Sequence, residues 1–364
     1  MAGPDEFDQF RPPEEPRRRR RGGRGGKRRR GEELMVPEVE IERPDSFDSY
    51  YGTPIVKFPP WEWPIAGYLF LGGLAGGSSL LGAGAQLTGN AELARNARLT
   101  AFGAASVGSA FLVADLGRPE RLLNMFRVFK LSSPMNVGAW ILGGFSGLAA
   151  VPAASEIDEL TGRRLPLPGA VRDLLAFAAT PAGLGAGLLG SPLAAYTAVL
   201  LGDTSVPAWQ GARNYLAPLF VSSASCAAGG AGLVTTSSRN SSPARALAVA
   251  GAVGDVTAMH ALKDGVGDVM REAFETGKAG KHLRAAEALV IGGGVLAALA
   301  GRRRVAGTVA GAALMAGSCL TRFGIMAAGK QSVADPKYVV EPQRERLARR
   351  VAAGEVGDSI TTAN

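Results

Sequence analysis

Between residues 62 and 328 the chain runs as long apolar blocks joined by short polar stretches. Eight blocks stand out, at 62–88, 97–116, 134–153, 174–202, 214–234, 244–262, 285–301 and 304–328. None has the period-two alternation of a half-buried strand, and their lengths lie near or above the ~20 residues that cross a hydrocarbon core. Only a helix satisfies its own backbone hydrogen bonds over such a length in lipid. The pattern therefore predicts an all-α integral membrane protein with eight transmembrane helices in a membrane domain over 61–330. Pro181 and Pro192 predict that the fourth helix is tilted or kinked. Asp255 and His260 interrupt the sixth block. The second block ends in "DLGRPER", Asp115 to Arg121, where Pro119 stops the helix, Gly117 permits a sharp turn and Asp115 can pair with Arg118 or Arg121.

Composition agrees with this division. The 364 residues are 46% hydrophobic and only 7% aromatic, and most of the 50 glycines fall inside the blocks beside Ala and Ser, as on small-residue faces that let membrane helices approach closely. Residues 1–60 are a polar, Pro/Gly-rich and strongly basic tail, expected to be mostly disordered, and 331–364 form an exposed C-terminal tail. The run "RRRRRGGRGGKRRRG" could bind a polyanion. Placed before a membrane helix, it reads instead as a segment that meets anionic membrane lipid or fixes topology, and no nucleic-acid role is assigned. No cleavable signal pattern precedes Trp61, so the first helix is expected to act as its own insertion signal. Walking the helices up and down puts 30 Lys and Arg on the side of the termini and 10 on the other. Both termini are therefore expected in the cytoplasm and the chain in the cell membrane.

The inventory of chemical groups is narrow. Two histidines, His260 and His282, and two cysteines, Cys226 and Cys319, fall short of the four thiolates of an iron–sulfur cluster. His282 lies in the polar stretch "ETGKAGKHLR", expected to be a loop, which leaves no facing histidine pair for haem. No metal ligation and no covalently bound cofactor are expected. The polar groups gather at helix ends instead. Glu62, Asp115, Arg118, Tyr196, Asp203, Trp209, Arg213, His260, Asp264 and Arg322 all fall on the terminal face in the helix walk. Ionisable groups at membrane depth are costly and mark candidate sites.

Three stretches, "WPIAGYLFLGGLAGGSSLLGA" (63–83), "DLGRPERLLNMFRVFKLSSPMNVGAW" (115–140) and "SPLAAYTAVLL" (191–201), resemble the NrfD/PsrC family of polysulfide-reductase-type membrane subunits. The resemblance covers roughly 61–330. It implies eight helices arranged as two four-helix bundles and a cofactorless anchor that handles quinone, menaquinone or ubiquinone. It further implies a ferredoxin-like four-cluster iron–sulfur subunit docked on the quinone-site face. That subunit serves a molybdopterin catalytic subunit, for example of the formate dehydrogenase or polysulfide reductase type. The quinone pocket is implied near the start of helix one and the end of helix four, where Glu62, Trp63, Tyr68 and Tyr196 stand, with Arg118 alongside. In this reading Tyr196 and Arg118 donate to quinone oxygens, Asp115 and His260 carry protons, and Tyr68 and Trp63 pack against the ring. Two rival readings are an ion-coupled secondary transporter built on Asp255 and a broken fourth helix, and a non-catalytic assembly scaffold.

Overall fold

The computed structural model describes residues 54–116, 119–164 and 166–354; most of the N-terminal tail, Gly117, Arg118 and the last ten residues lie outside that range. Helix α1 (Trp63–Leu87) carries Pro64 in its first turn, where a missing N–H costs no hydrogen bond. Helix α2 (Ala91–Asp115) starts on Asn90, whose side-chain oxygen accepts from the Leu93 N–H at 3.2 Å. It ends at Asp115, and a 3-10 helix, Pro119–Phe126, follows. Next come α3 (Pro134–Leu160), α4 (Gly169–Gly202), the short α5 (Pro207–Gly211), α6 (Arg213–Thr235), α7 (Ser242–Gly265) and the short α8 (Asp268–Glu275). The order closes with α9 (Gly277–Leu299), α10 (Arg304–Ala334) and α11 (Lys337–Ala352). There is no strand among the described residues.

Each predicted block carries a long helix. Seven of these, α1, α2, α3, α4, α6, α9 and α10, are long and apolar enough to cross a membrane. The sixth block, α7, is a 24-residue helix that falls outside this group, because Arg245, Asp255, His260, Lys263 and Asp264 dilute its apolar residues. Several helices overrun their blocks. Helix α2 begins at Ala91, α4 at Gly169 and α9 at Gly277, and α10 continues to Ala334. His282, expected in a loop, therefore sits in the second turn of α9. The physical reason is that an apolar block marks burial in lipid or core, whereas the backbone ladder continues into polar turns whose side chains are solvated. Helix α4 stays a single 34-residue helix through Pro181 and Pro192.

Helix α1 packs on α2, α4 and α6; α3 packs on α4 and α2. Helix α6 packs on α7 and α10, and α9 on α10 and α7. In α1, 78% of the most apolar window is buried by other helices, against 28% in α2, so α1 is a core helix and α2 a peripheral one. Glycine permits the closest crossings. A Cβ on Gly76 of α1 would overlap the Gly190 carbonyl oxygen of α4, and one on Gly230 of α6 would come within 2.7 Å of the Gly311 carbonyl oxygen of α10.

Candidate functional site

The start of α1 and the end of α2 meet because the two helices run antiparallel. Trp63, the first residue of α1, stands edge-on to Phe111 of α2, with ring centroids 5.4 Å apart and planes at 74°. Phe111 lies one turn before Asp115 on the same helix, so the aromatic pair and the carboxylate share a face. Asp115 is half-buried, and its charged neighbours are Glu62, just ahead of α1, and Lys330, near the end of α10. Glu62 and Trp63 are exposed.

Deeper along α1 is Tyr68, 3% exposed. Its ring packs beside Gly108 of α2, where a Cβ would come within 3.4 Å of it. Its hydroxyl shares a hydrogen bond with the Tyr196 hydroxyl of α4. Tyr196 is half-buried, and Gly138 of α3 makes room for its ring, since any side chain there would overlap it. With a rise of about 1.5 Å per residue, Gly108 lies about 10 Å along α2 from Asp115. The groups thus form a column between α1, α2 and α4, with carboxylates and Lys330 at the mouth, then an aromatic pair, then two linked hydroxyls. Such a column offers flat apolar walls, hydroxyl donors at its base and a proton-exchanging group near water. Val199 and Asp203 towards the end of α4 line an open cleft of ≈ 530 Å³ with Leu131, Pro134 and Arg213.

Of the residues singled out in the sequence, Glu62, Trp63, Tyr68, Asp115 and Tyr196 are brought to this end of the first four long helices. Arg118, and with it the partner of Asp115 in the loop, lies outside the described residues. His260 stands on α7 with an exposed side chain. Its Nδ1 is 2.8 Å from the Val256 carbonyl oxygen and its Nε2 3.6 Å from Glu287 of α9, so none of these contacts reaches α1 to α4.

Sequence reasoning placed Arg322 on the terminal face, and the structure corrects this. Helix α10 continues twelve residues past Arg322, which leaves the guanidinium inside the helix packing at 1% exposure. It lies over the Phe220 ring, 3.6 Å from its centroid, and donates to the Phe220 carbonyl at 2.7 Å. The opposite charge that acts on it most strongly is the buried Asp255 of α7. The opposite end of the first four helices holds a second ionic group, whose pairing no local pattern in the sequence encodes. Arg98 of α2 donates to Glu156 of α3 at 2.8 Å and to Gln86 of α1. Phe111, Lys330 and Gly138 were also missed. Lys330, a cation near the end of its helix, was the one with a sequence signal.

No curated protein matches the chain. The family model described as "Polysulphide reductase, NrfD" matches residues 55–250, which contain every residue of the column except Lys330. A match over more than half of the chain, on a framework with seven apolar helices of membrane-spanning length, identifies a multi-pass membrane protein that belongs to the NrfD polysulphide reductase family.

Proposed function

We propose that the chain is the membrane anchor and quinone-reactive subunit of a multi-subunit oxidoreductase. It would pass electrons between menaquinone or ubiquinone and a docked four-cluster, ferredoxin-like iron–sulfur subunit of a molybdopterin enzyme. Family membership supports the coarse part of this reading, a quinone-interacting membrane subunit. One observation carries it to particular residues. Two tyrosine hydroxyls, on helices far apart in sequence, are joined beneath an aromatic pair inside the matched segment.

A quinone needs an apolar slot for its ring and tail, a donor at its carbonyl oxygen, and protons when its charge changes. Tyr196, partly open, would donate to that oxygen, and the buried Tyr68 would hold the Tyr196 hydroxyl in position. Trp63 and Phe111 would flank the ring or the start of the tail. Asp115, with Glu62 and Lys330 beside it, would relay protons to and from water at the mouth. Reduction takes two electrons from the partner's clusters and two protons through this relay; oxidation runs in reverse. His260, paired with Glu287, has no part in this arrangement. The contacts among α1 to α4, and among α6, α7, α9 and α10, favour eight spans in two four-helix bundles, with both termini in the cytoplasm.

The test is quinone turnover per mole of partner cluster in the purified complex, beside dye-linked activity of the partner alone. Tyr196→Phe should lower the first about tenfold, the equivalent of one neutral hydrogen bond, and leave the second unchanged. Equal quinone turnover in variant and wild type would remove the column from the reading and favour a scaffold.

A further inference from the structure

The connection between α2 and α3 turns apolar side chains outward, and two of its cations, Arg127 and Lys130, have no side-chain partner among the described residues. Leu123 is 75% exposed, Phe129 57% and Leu131 78%, and Val128, Met135 and Trp140 are exposed as well. Yet the segment is ordered by bonds of its own. The Asn136 side chain donates to the Met125 carbonyl at 3.0 Å and accepts from the Lys130 N–H at 2.7 Å. Phe126 and Phe129 both meet the Trp140 ring edge-on, at 5.5 and 6.0 Å. The result is a braced apolar ridge. Arg127 and Lys130 stand on it exposed, with no side-chain partner among the described residues. Because α2 and α3 are both of membrane-spanning length, their connection lies at one boundary of the bilayer. At that depth an apolar ridge with a tryptophan belongs among acyl chains, and long cationic side chains reach back to the headgroups.

We infer that residues 122–140 form a binding site for an anionic phospholipid. Its acyl chains lie along Leu123, Phe129 and Trp140, and its phosphate is held between Arg127 and Lys130. The charge of the two free cations selects the headgroup, and the ridge selects a lipid over a soluble phosphate. Leu131 and Pro134 line an open cleft of ≈ 530 Å³ with Val199, Asp203 and Arg213, so the ridge is separate from the residues of the column. This site stands whether or not the column takes quinone.

Trp140 is a built-in reporter. The full chain would be reconstituted in phosphatidylcholine vesicles doped with chain-brominated phosphatidylglycerol or, in parallel, chain-brominated phosphatidylcholine. The Trp140 signal is the difference between wild type and Trp140→Phe, which removes the contribution of the other tryptophans. Phosphatidylglycerol should quench that signal preferentially. A cation near an anionic headgroup contributes roughly fivefold, so Arg127→Gln with Lys130→Gln should cut the preference about 25-fold. The charge-preserving pair Arg127→Lys with Lys130→Arg should keep it, which separates loss of charge from misfolding. Equal quenching by both lipids in wild type would overturn the inference, as would an unchanged preference in the glutamine variant. So would competition by soluble glycerol phosphate, which would indicate a free-anion site. Absence of Trp140 quenching by either lipid would overturn it in favour of a protein partner covering the ridge.

Discussion

The joined hydroxyls of Tyr68 and Tyr196 either present a hydrogen bond to a ligand or merely fasten α1 to α4, and phenylalanine substitutions separate the two cases. Tyr196→Phe keeps the ring against Gly138 and removes one hydroxyl. Tyr68, a residue only 3% exposed, then keeps a hydroxyl without its partner. A buried polar group so stranded costs about 1–3 kcal/mol of stability. If Tyr196 also donates to a quinone oxygen, the lost bond weakens quinone binding by about 1 kcal/mol or slightly more, roughly tenfold. Tyr68→Phe should cost comparable stability but weaken binding only two- to threefold, about 0.5 kcal/mol, because Tyr68 acts through Tyr196. Binding is measured in detergent by quenching of the chain's tryptophans with a short-chain quinone, and stability by thermal unfolding of the same samples. A fastener predicts a different pattern. Both single variants lose stability, the double variant recovers most of it because neither hydroxyl is stranded, and the dissociation constant stays flat throughout. That pattern would refute a quinone-donating role for Tyr196.

Two further outcomes follow from groups at other depths. Asp115→Asn keeps the side-chain shape and should leave the complex assembled while slowing quinone turnover on the order of 10²-fold, the lower end of general acid–base contributions, read per mole of partner cluster. Arg322→Met should lower stability, because it removes the donor to the Phe220 carbonyl and the cation that acts on the buried Asp255, whereas Arg322→Met combined with Asp255→Leu should recover most of the loss in thermal unfolding.

The helices were legible in the sequence because lipid imposes length and apolarity on each span independently of its neighbours. The opposite holds for what lies between helices. Tyr68 and Tyr196 were both identified as candidates, but the shared hydrogen bond joins positions 128 residues apart, and no local period encodes it. Phe111 and Gly138 were missed for the same reason, since their roles are defined only by Trp63 and Tyr196 on other helices. Arg322 was misplaced through a boundary. Its charge resembled a helix end, yet "GIMAAGKQSVA" continues the helix to Ala334, and Phe220 with Asp255 supplies an interior environment that hydropathy cannot report. Helix α9 shows that error at the other terminus, where Gly277 to Arg284 is polar and helical together.

The tyrosine pair is set by a crossing some distance away, and this gives the most discriminating test of how the small residues build the site. Gly76 and Gly190 meet backbone to backbone, each occupying space a Cβ on the other helix would need, and Ser79 ties the crossing by donating to the Ala186 carbonyl at 3.0 Å. Tyr68 lies about 12 Å from the crossing along α1 and Tyr196 about 9 Å along α4. The closeness of the two backbones at the glycines therefore decides whether the hydroxyls meet. Gly190→Ala puts a methyl group into the Gly76 carbonyl and the Ser79 hydroxyl, and overpacking of this kind costs about 1–3 kcal/mol. Separation of the helices there would shift the Tyr196 hydroxyl relative to Tyr68 and to anything bound beside it. Gly190→Ala should thus weaken quinone binding about as much as Tyr196→Phe, though both hydroxyls remain. Gly147→Ala on α3 is the matched control, because a Cβ there meets nothing within 4 Å. It should be neutral or stabilising by up to about 1 kcal/mol, the ordinary gain of alanine over glycine in a helix. Were Gly190→Ala to match Gly147→Ala in both melting temperature and quinone affinity, the crossing would not govern the column, and the tyrosines would have to be positioned by α2 and α3 instead.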